Sequence, residues 1–137
     1  MLKVAQARLA KTKPRSRASL AQGDALCLPY AGGAFNAVFL SFTLELFSTQ
    51  DILCVLSECR RVLKPRGRVC AVTLSQPAAS TFMVAAYSWF HRRFPSVVDC
   101  RPIPAAVLIV QAGFQIQICQ DKSLWGLPVA VIVASLF

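Results

Sequence analysis

Residues 18–73, ASLAQGDALCLPYAGGAFNAVFLSFTLELFSTQDILCVLSECRRVLKPRGRVCAVT, decide the fold. Phe35 to Phe42 is almost unbroken apolar sequence, which predicts a strand covered on both faces. Ile52, Val55, Leu56, Cys59, Val62 and Leu63 then recur at i, i+3, i+4, i+7, i+10 and i+11, the single stripe of an amphipathic helix. Ser48 or Thr49 can cap that helix, and Asp51 sits in the first turn, where the backbone dipole favours a negative charge. Pro65 stops it, and Gly67 permits a reversal into a further strand from Arg68 to Leu74. Upstream, Ala18 to Gln22 reads as a short strand ended by Gly23-Asp24, and Leu28-Pro29-Tyr30-Ala31-Gly32-Gly33 carries turn chemistry.

Outside this stretch the alternation continues. Leu2 to Lys11 has helical spacing, with Leu2, Ala5 and Leu9 on one side, and a basic loop from Lys11 to Arg17 follows. Pro77 can open a helix with Met83, Ala86, Tyr87 and Phe90 on its apolar face. Arg92 to Pro104 holds three prolines and is expected to be irregular. Pro104 to Gln111 predicts a short helix ended by Gly113. Phe114, Ile116 and Ile118 alternate with Gln115 and Gln117 as a half-exposed strand. Leu127 to Ala134 reads as a more buried one, joined to it as an antiparallel hairpin through Asp121 to Gly126. Helices and strands that alternate up to a closing hairpin predict an α/β layered sheet with one reversed strand.

Length and composition bound the function. A chain of 137 residues is expected to form one domain, and 55% hydrophobic against 15% charged residues suits strands buried on both faces. No run reaches the roughly 18 to 20 apolar residues that a spanning helix needs, and the N-terminus lacks the charged-then-apolar pattern of a secretion signal. The expectation is a cytoplasmic protein. The net charge of +9 is dispersed. Arg8, Lys11, Lys13, Arg15 and Arg17 belong to the end of the first helix and the loop after it, and Arg60, Arg61, Lys64, Arg66 and Arg68 surround another helix C-terminus. No aromatic residues interleave with them as a base-stacking surface requires, so no specific nucleic-acid partner is expected. Peripheral contact with anionic lipid headgroups stays open. The six cysteines, Cys27, Cys54, Cys59, Cys70, Cys100 and Cys119, form no C-x-x-C, and His91 is the single histidine, so no metal site is expected. Cys54 and Cys59 fall about 140° apart around a helix axis; small core residues in a reducing compartment are the simpler reading.

Three segments carry a resemblance: Gln22-Gly23-Asp24-Ala25, Asn36 to Ser41, and Arg61-Val62-Leu63-Lys64-Pro65. With Ala112-Gly113-Phe114 and Trp125-Gly126-Leu127-Pro128, they make the chain resemble the second half of a class I S-adenosylmethionine (SAM)-dependent methyltransferase domain, in the branch of the ubiquinone/menaquinone C-methyltransferases. The resemblance runs from Met1 to about Ala134. It implies a partial Rossmann-like sheet with a C-terminal antiparallel β-hairpin, a single truncated domain over residues 1–137, SAM as cofactor and a small, quinone-like or lipid-soluble methyl acceptor.

The resemblance also implies site residues. Asp24 would accept from the adenine amino group and the Ala25 N–H would meet the ring, as a carboxylate and a main-chain donor can do; a plain turn-forming Asp is the competing reading. Ser41 and Phe42 would lie beside the methyl donor. Glu45 reads as an exposed helix-entry carboxylate rather than a general base. Tyr87 and Trp89 fall where acceptor pockets vary. His91, titrating near neutrality, is the candidate proton acceptor, although its neighbours Arg92 and Arg93 suit a surface helix end. Asp99 and Arg101 are further acceptor-contact candidates. Methyl transfer from a sulfonium chiefly needs alignment and exclusion of water, so a dedicated acid/base pair is optional.

No glycine-rich strand–turn–helix stands ahead of these motifs, and Gly32-Gly33 lies in another context. Arg66 replaces the first glycine of the usual K-P-G-G turn. In the resembled family two strands lie between the Ala18–Gln22 and Phe35–Phe42 strands, a gap of roughly 14 Å. Their loss would leave apolar edges open. The expectation is that the chain alone holds SAM weakly or not at all; the edges are either re-paired within the chain, covered by a partner chain or oligomer, or left open in a truncated product of little independent stability. A non-catalytic remnant serving as a binding or interaction module is the alternative.

Overall fold

The computed structural model describes residues 2–11, 18–75, 103–124 and 127–136. Helix α1 spans Leu2–Lys11, strand β1 Phe35–Ser41, helix α2 Thr49–Val62, strand β2 Leu63–Leu74, helix α3 Ala105–Gln111, and strands β3 and β4 Gln115–Leu124 and Leu127–Ser135. A single 3₁₀ turn, Leu44–Leu46, links β1 to α2. The sheet order is β1-β2-β4-β3, with β1 and β2 parallel and β4 antiparallel to both its neighbours. One reversed strand closing a parallel pair is the α/β arrangement that the pattern implies.

Helix α2 follows the apolar stripe. Ser48 caps it, its hydroxyl accepting from Asp51 N–H at 3.1 Å, and Ile52, Val55, Leu56, Cys59 and Val62 are all buried. These side chains join Leu40, Val69, Ala71, Ile132 and Ala134 of the sheet and Ala105, Leu108 and Ile109 of α3 in one core. Helix α3 ends where Gly113 adopts φ +85°, which turns Phe114 back into the same core. Strand β2 alternates, with Val69, Ala71 and Thr73 buried and Cys70, Val72 and Leu74 half-buried.

Three expectations are corrected. Ala18–Gln22 is not a strand; it lies exposed, and only an isolated Asp24–Cys27 bridge follows it. A strand needs a neighbour to pair with, and the β1 edge that faces away from β2 carries no strand among the described residues. Strand β1 itself is not covered on both faces: Phe39 is 65% exposed, because α2 and α3 pack on one side of the sheet only. The hairpin is also tighter than expected. Pairing runs to Leu124–Leu127, so residues 125–126 alone join the strands, not the six from Asp121 to Gly126. The helix expected after Pro77 lies outside the described residues.

The reversal after α2 carries strain. Arg66 adopts φ +61°, a left-handed conformation in which a side chain costs about 1–2 kcal/mol relative to glycine. Arg66→Gly is therefore expected to stabilise the chain by about 1 kcal/mol, after the entropy that glycine adds to the unfolded state. A higher urea midpoint at unchanged slope would show it, and a lower midpoint would refute it.

Candidate functional site

In open α/β sheets ligands bind beyond the carboxyl ends of the strands, and here that end is shaped by the abrupt turn of the chain out of β1. Ser41 is the last β1 residue and is exposed. Phe42 still donates its N–H to Val72 O at 2.9 Å but adopts φ +48°. A bulky residue in that region is strained, and strain of this kind collects at functional sites. Thr43 turns back, its hydroxyl donating to Ser41 O at 3.1 Å. Leu44 then drops fully into the core.

Glu45 follows, and its position corrects the sequence reading. It is not an exposed helix-entry carboxylate but 3% exposed. Its Oε1 accepts from Leu74 N–H at 2.8 Å. Strand β1 has turned away at Phe42, so no β1 carbonyl reaches that donor; the carboxylate serves in place of the missing strand. The apolar run around it concealed this role, since the reach of Glu45 to β2 depends on where the 3₁₀ turn places it.

Asp24 and Ala25 occupy a turn after the exposed 18–23 segment. Asp24 Oδ1 accepts from Leu26 N–H at 2.9 Å and its main-chain carbonyl from Cys27 N–H at 3.1 Å. Asp24 thus makes the local turn that the simpler reading assigns to it, while its side chain remains exposed. Ala25 packs against the core. No hydrogen bond joins the Asp24–Ala25 turn to Ser41 or Phe42 among the described residues. Tyr87, Trp89, His91, Asp99 and Arg101 lie outside the described residues.

A polar bracket fixes the segment after Asp24. Glu58 and Arg61 pair on α2, with Arg61 Nε to Glu58 Oε1 at 2.7 Å and Nη2 to Oε2 at 2.8 Å. Glu58 Oε2 also accepts from Leu28 N–H at 2.8 Å, and the Arg61 guanidinium donates to Leu28 O and Tyr30 O. Gly33 N–H closes the helix end by donating to Arg61 O at 3.0 Å. The Arg61 hydrogen bond first, then the Leu28 N–H, lower the Glu58 carboxyl from 4.5 to about 2.

A carboxyl depressed in the folded state contributes stability that is present above pH 4.5 and is lost as pH falls toward 2. Solvent screens so exposed a pair, which keeps the effect modest. The melting temperature is expected to fall between these pH values, and Glu58→Gln to flatten that fall. An equally steep profile in the variant would remove Glu58 as its source.

Elsewhere, burial first and the neighbouring Glu58 charge second raise the Cys59 thiol to about 11. It is therefore not a nucleophile at neutral pH. Among the described residues no group of three His, Cys, Asp or Glu stands close enough to hold a metal ion.

Comparison with known proteins gives this end of the sheet its context. The profile of the ubiE/COQ5 methyltransferase family matches residues 1–99. The demethylmenaquinone methyltransferase of Lactococcus lactis is 36% identical over 95 residues, which are 69% of this chain and 36% of that protein. That of Shouchella clausii is 35% identical over 95 residues, 69% of this chain and 39% of its own. This chain thus matches little more than a third of the length of these relatives. Among solved structures, a SAM-dependent methyltransferase from Methanosarcina mazei superposes with a TM-score of 0.71 at 16% identity, over 98% of this chain and 76% of that one. The match over most of the chain identifies the protein: it belongs to the ubiE/COQ5 methyltransferase family.

Proposed function

We propose that this chain forms the acceptor-side half of a site for SAM-dependent methyl transfer to a small, quinone-like, lipid-soluble molecule, and that alone it retains little affinity for SAM. The observation that carries the reading is the constrained turn at the carboxyl end of β1, where Ser41 is exposed and Phe42 is held left-handed. The family supports the reaction class, and the named activity of the L. lactis relative supports a quinone-like acceptor.

The residues present fit part of the cofactor. Asp24 keeps an exposed carboxylate suited to an exocyclic amine, and Ser41 offers an exposed hydroxyl at the end of β1 that would face the methionine part of the cofactor. SAM, when bound, supplies a methyl group already activated for displacement. Asp24 and Ala25 would then hold the adenine, while Ser41 and Phe42 orient the donor and wall it from water. The 137 residues contain no glycine-rich turn to carry the rest of the nucleoside.

Isothermal titration of the chain with SAM is expected to give no saturable heat, and micromolar saturation would overturn the half-site reading. A chimera that carries the N-terminal part of the L. lactis relative ahead of Met1 is expected to bind SAM and to lose about tenfold on Asp24→Ala, the order of one charged hydrogen bond. An unchanged affinity would return Asp24 to a turn former.

One observation favours a second reading, a non-catalytic interaction module. The sheet face opposite α2 and α3 shows Phe39 at 65% and Ile118 at 47% exposure, beside a β1 edge that pairs with no strand among the described residues and carries neither charge nor proline. A chimera that folds yet never binds SAM would favour it.

A further inference from the structure

The sheet has two edges, β1 and β3, and they are built differently. Strand β3 carries the exposed charges of Asp121 and Lys122. Its register against β4 shifts between Ile116 and Ile118, so Gln117 is an extra residue outside the ladder. Charges and bulges both hinder an edge from pairing with another chain. Strand β1, Phe35–Ser41, has neither charge nor proline. The irregularity in its pairing falls in β2, where Leu63 and Arg68 stand opposite Phe35 and Ala37, so β1 has no inserted residue. Among the described residues no strand pairs with its outer side.

That outer side is complementary to itself. Two identical edges meet across a two-fold axis as an antiparallel pair. Residues that oppose each other must lie on the same face of the sheet, which excludes registers slipped by one residue. An axis through Val38 pairs the whole of β1 with its copy. Asn36 then stands opposite Leu40 of the second copy, and Ala37 opposite its Phe39. Ala37 and Phe39 are both exposed, and Phe39 is 65% so. Each large ring thus covers a small neighbour, and the two Phe39 rings lie on the diagonal, within reach of each other. No charge opposes another along the strand.

We propose that β1 is the docking edge for a second copy of this chain, paired antiparallel about Val38, so that the two sheets join into one. The pairing supplies partners to the main-chain groups that an edge strand otherwise leaves to water, and it takes Phe39 out of solvent. It also closes on itself: each copy has a single β1, and the edge that remains is the charged, bulged β3, so assembly stops at two. The inference does not depend on the methyl-transfer reading, since it uses only the strand and its exposed side chains.

Sedimentation velocity of the 137-residue chain is expected to show a monomer–dimer equilibrium at micromolar concentration, with amide hydrogen exchange slowing across residues 36–40 as the dimer fills. Ala37→Lys and Phe39→Glu, both at exposed positions, are each expected to weaken association at least about tenfold, because each sets like charges on the diagonal across the axis. Mixed in equal amounts, the two variants are expected to regain most of that loss, since the introduced charges are then opposite in sign and face each other directly. If Phe39→Glu fails to fold, Ala37→Lys and the exchange profile decide. A chain that stays monomeric, a dimer untouched by Ala37→Lys, or folded variants that do not recover on mixing would overturn the proposal. Exchange that slows only when the N-terminal part of the L. lactis relative is added would give the edge to another chain and overturn it equally.

Discussion

Leu56→Ala is expected to cost about 2–5 kcal/mol, a large share of the roughly 5–15 kcal/mol that holds a domain together. Leu56 is fully buried in the stripe of α2 that meets the sheet. Truncation removes its transfer free energy and leaves a cavity that neighbours in a close-packed core fill only in part. The expected readout is a lower urea midpoint with the slope retained. Leu46→Ala supplies the control, since Leu46 is exposed beside the same helix and should shift the midpoint little. If the two variants lose equal stability, the core does not lie where α2 meets the sheet.

The second large effect is expected at Gly67, in the reversal between α2 and the long run of β2. An added Cβ would stand 2.7 Å from Lys64 O, 3.0 Å from Leu63 Cδ2 and 3.1 Å from Leu63 Cβ. The nearest atom is backbone and cannot swing aside as a side-chain tip can. Gly67 also fixes the end of the sheet, its carbonyl accepting from Leu136 N–H at 3.0 Å. Gly67→Ala is expected to cost about 1–3 kcal/mol, in the range of overpacked cores. Calorimetric melting of Gly67→Ala beside Arg66→Gly makes the test sharp: adjacent positions in one turn should move stability in opposite directions. Arg66 suffers from its dihedral angle and Gly67 from its surroundings, so a shared sign would mean that the turn is built otherwise.

Much of the architecture was legible because it is local. The i, i+3, i+4 recurrence from Ile52 to Leu63 and the Ser48 cap specify α2 to within one residue, since both act within a few turns of one helix. The alternation of Ile116 with Gln115 and Gln117, followed by a second apolar run, located the hairpin, although its loop came out shorter. The local geometry at two candidate positions was legible as well. Asp24 does sit in a turn and Ser41 does end a strand, because glycine and strand length mark such ends. What these residues hold is a separate question that belongs to the titrations.

The order of residues along the chain determined the alternating α/β succession, the capped helix and the burial stripe, all products of short-range periodicity and turn chemistry. Three matters were decided only when the chain closed on itself. Ala18–Gln22 has strand-like composition but stays out of the sheet, because a strand exists through hydrogen bonds to a neighbour that these residues do not reach. Phe39 belongs to a run patterned for two-sided burial yet faces solvent, because α2 and α3 pack on one side. Glu45, a charge within an apolar stretch, is buried because the end of β2 presents a main-chain donor at a point that β1 has already left. Periodicity records what each residue can do along its own element; which groups meet across elements depends on where the chain returns in space.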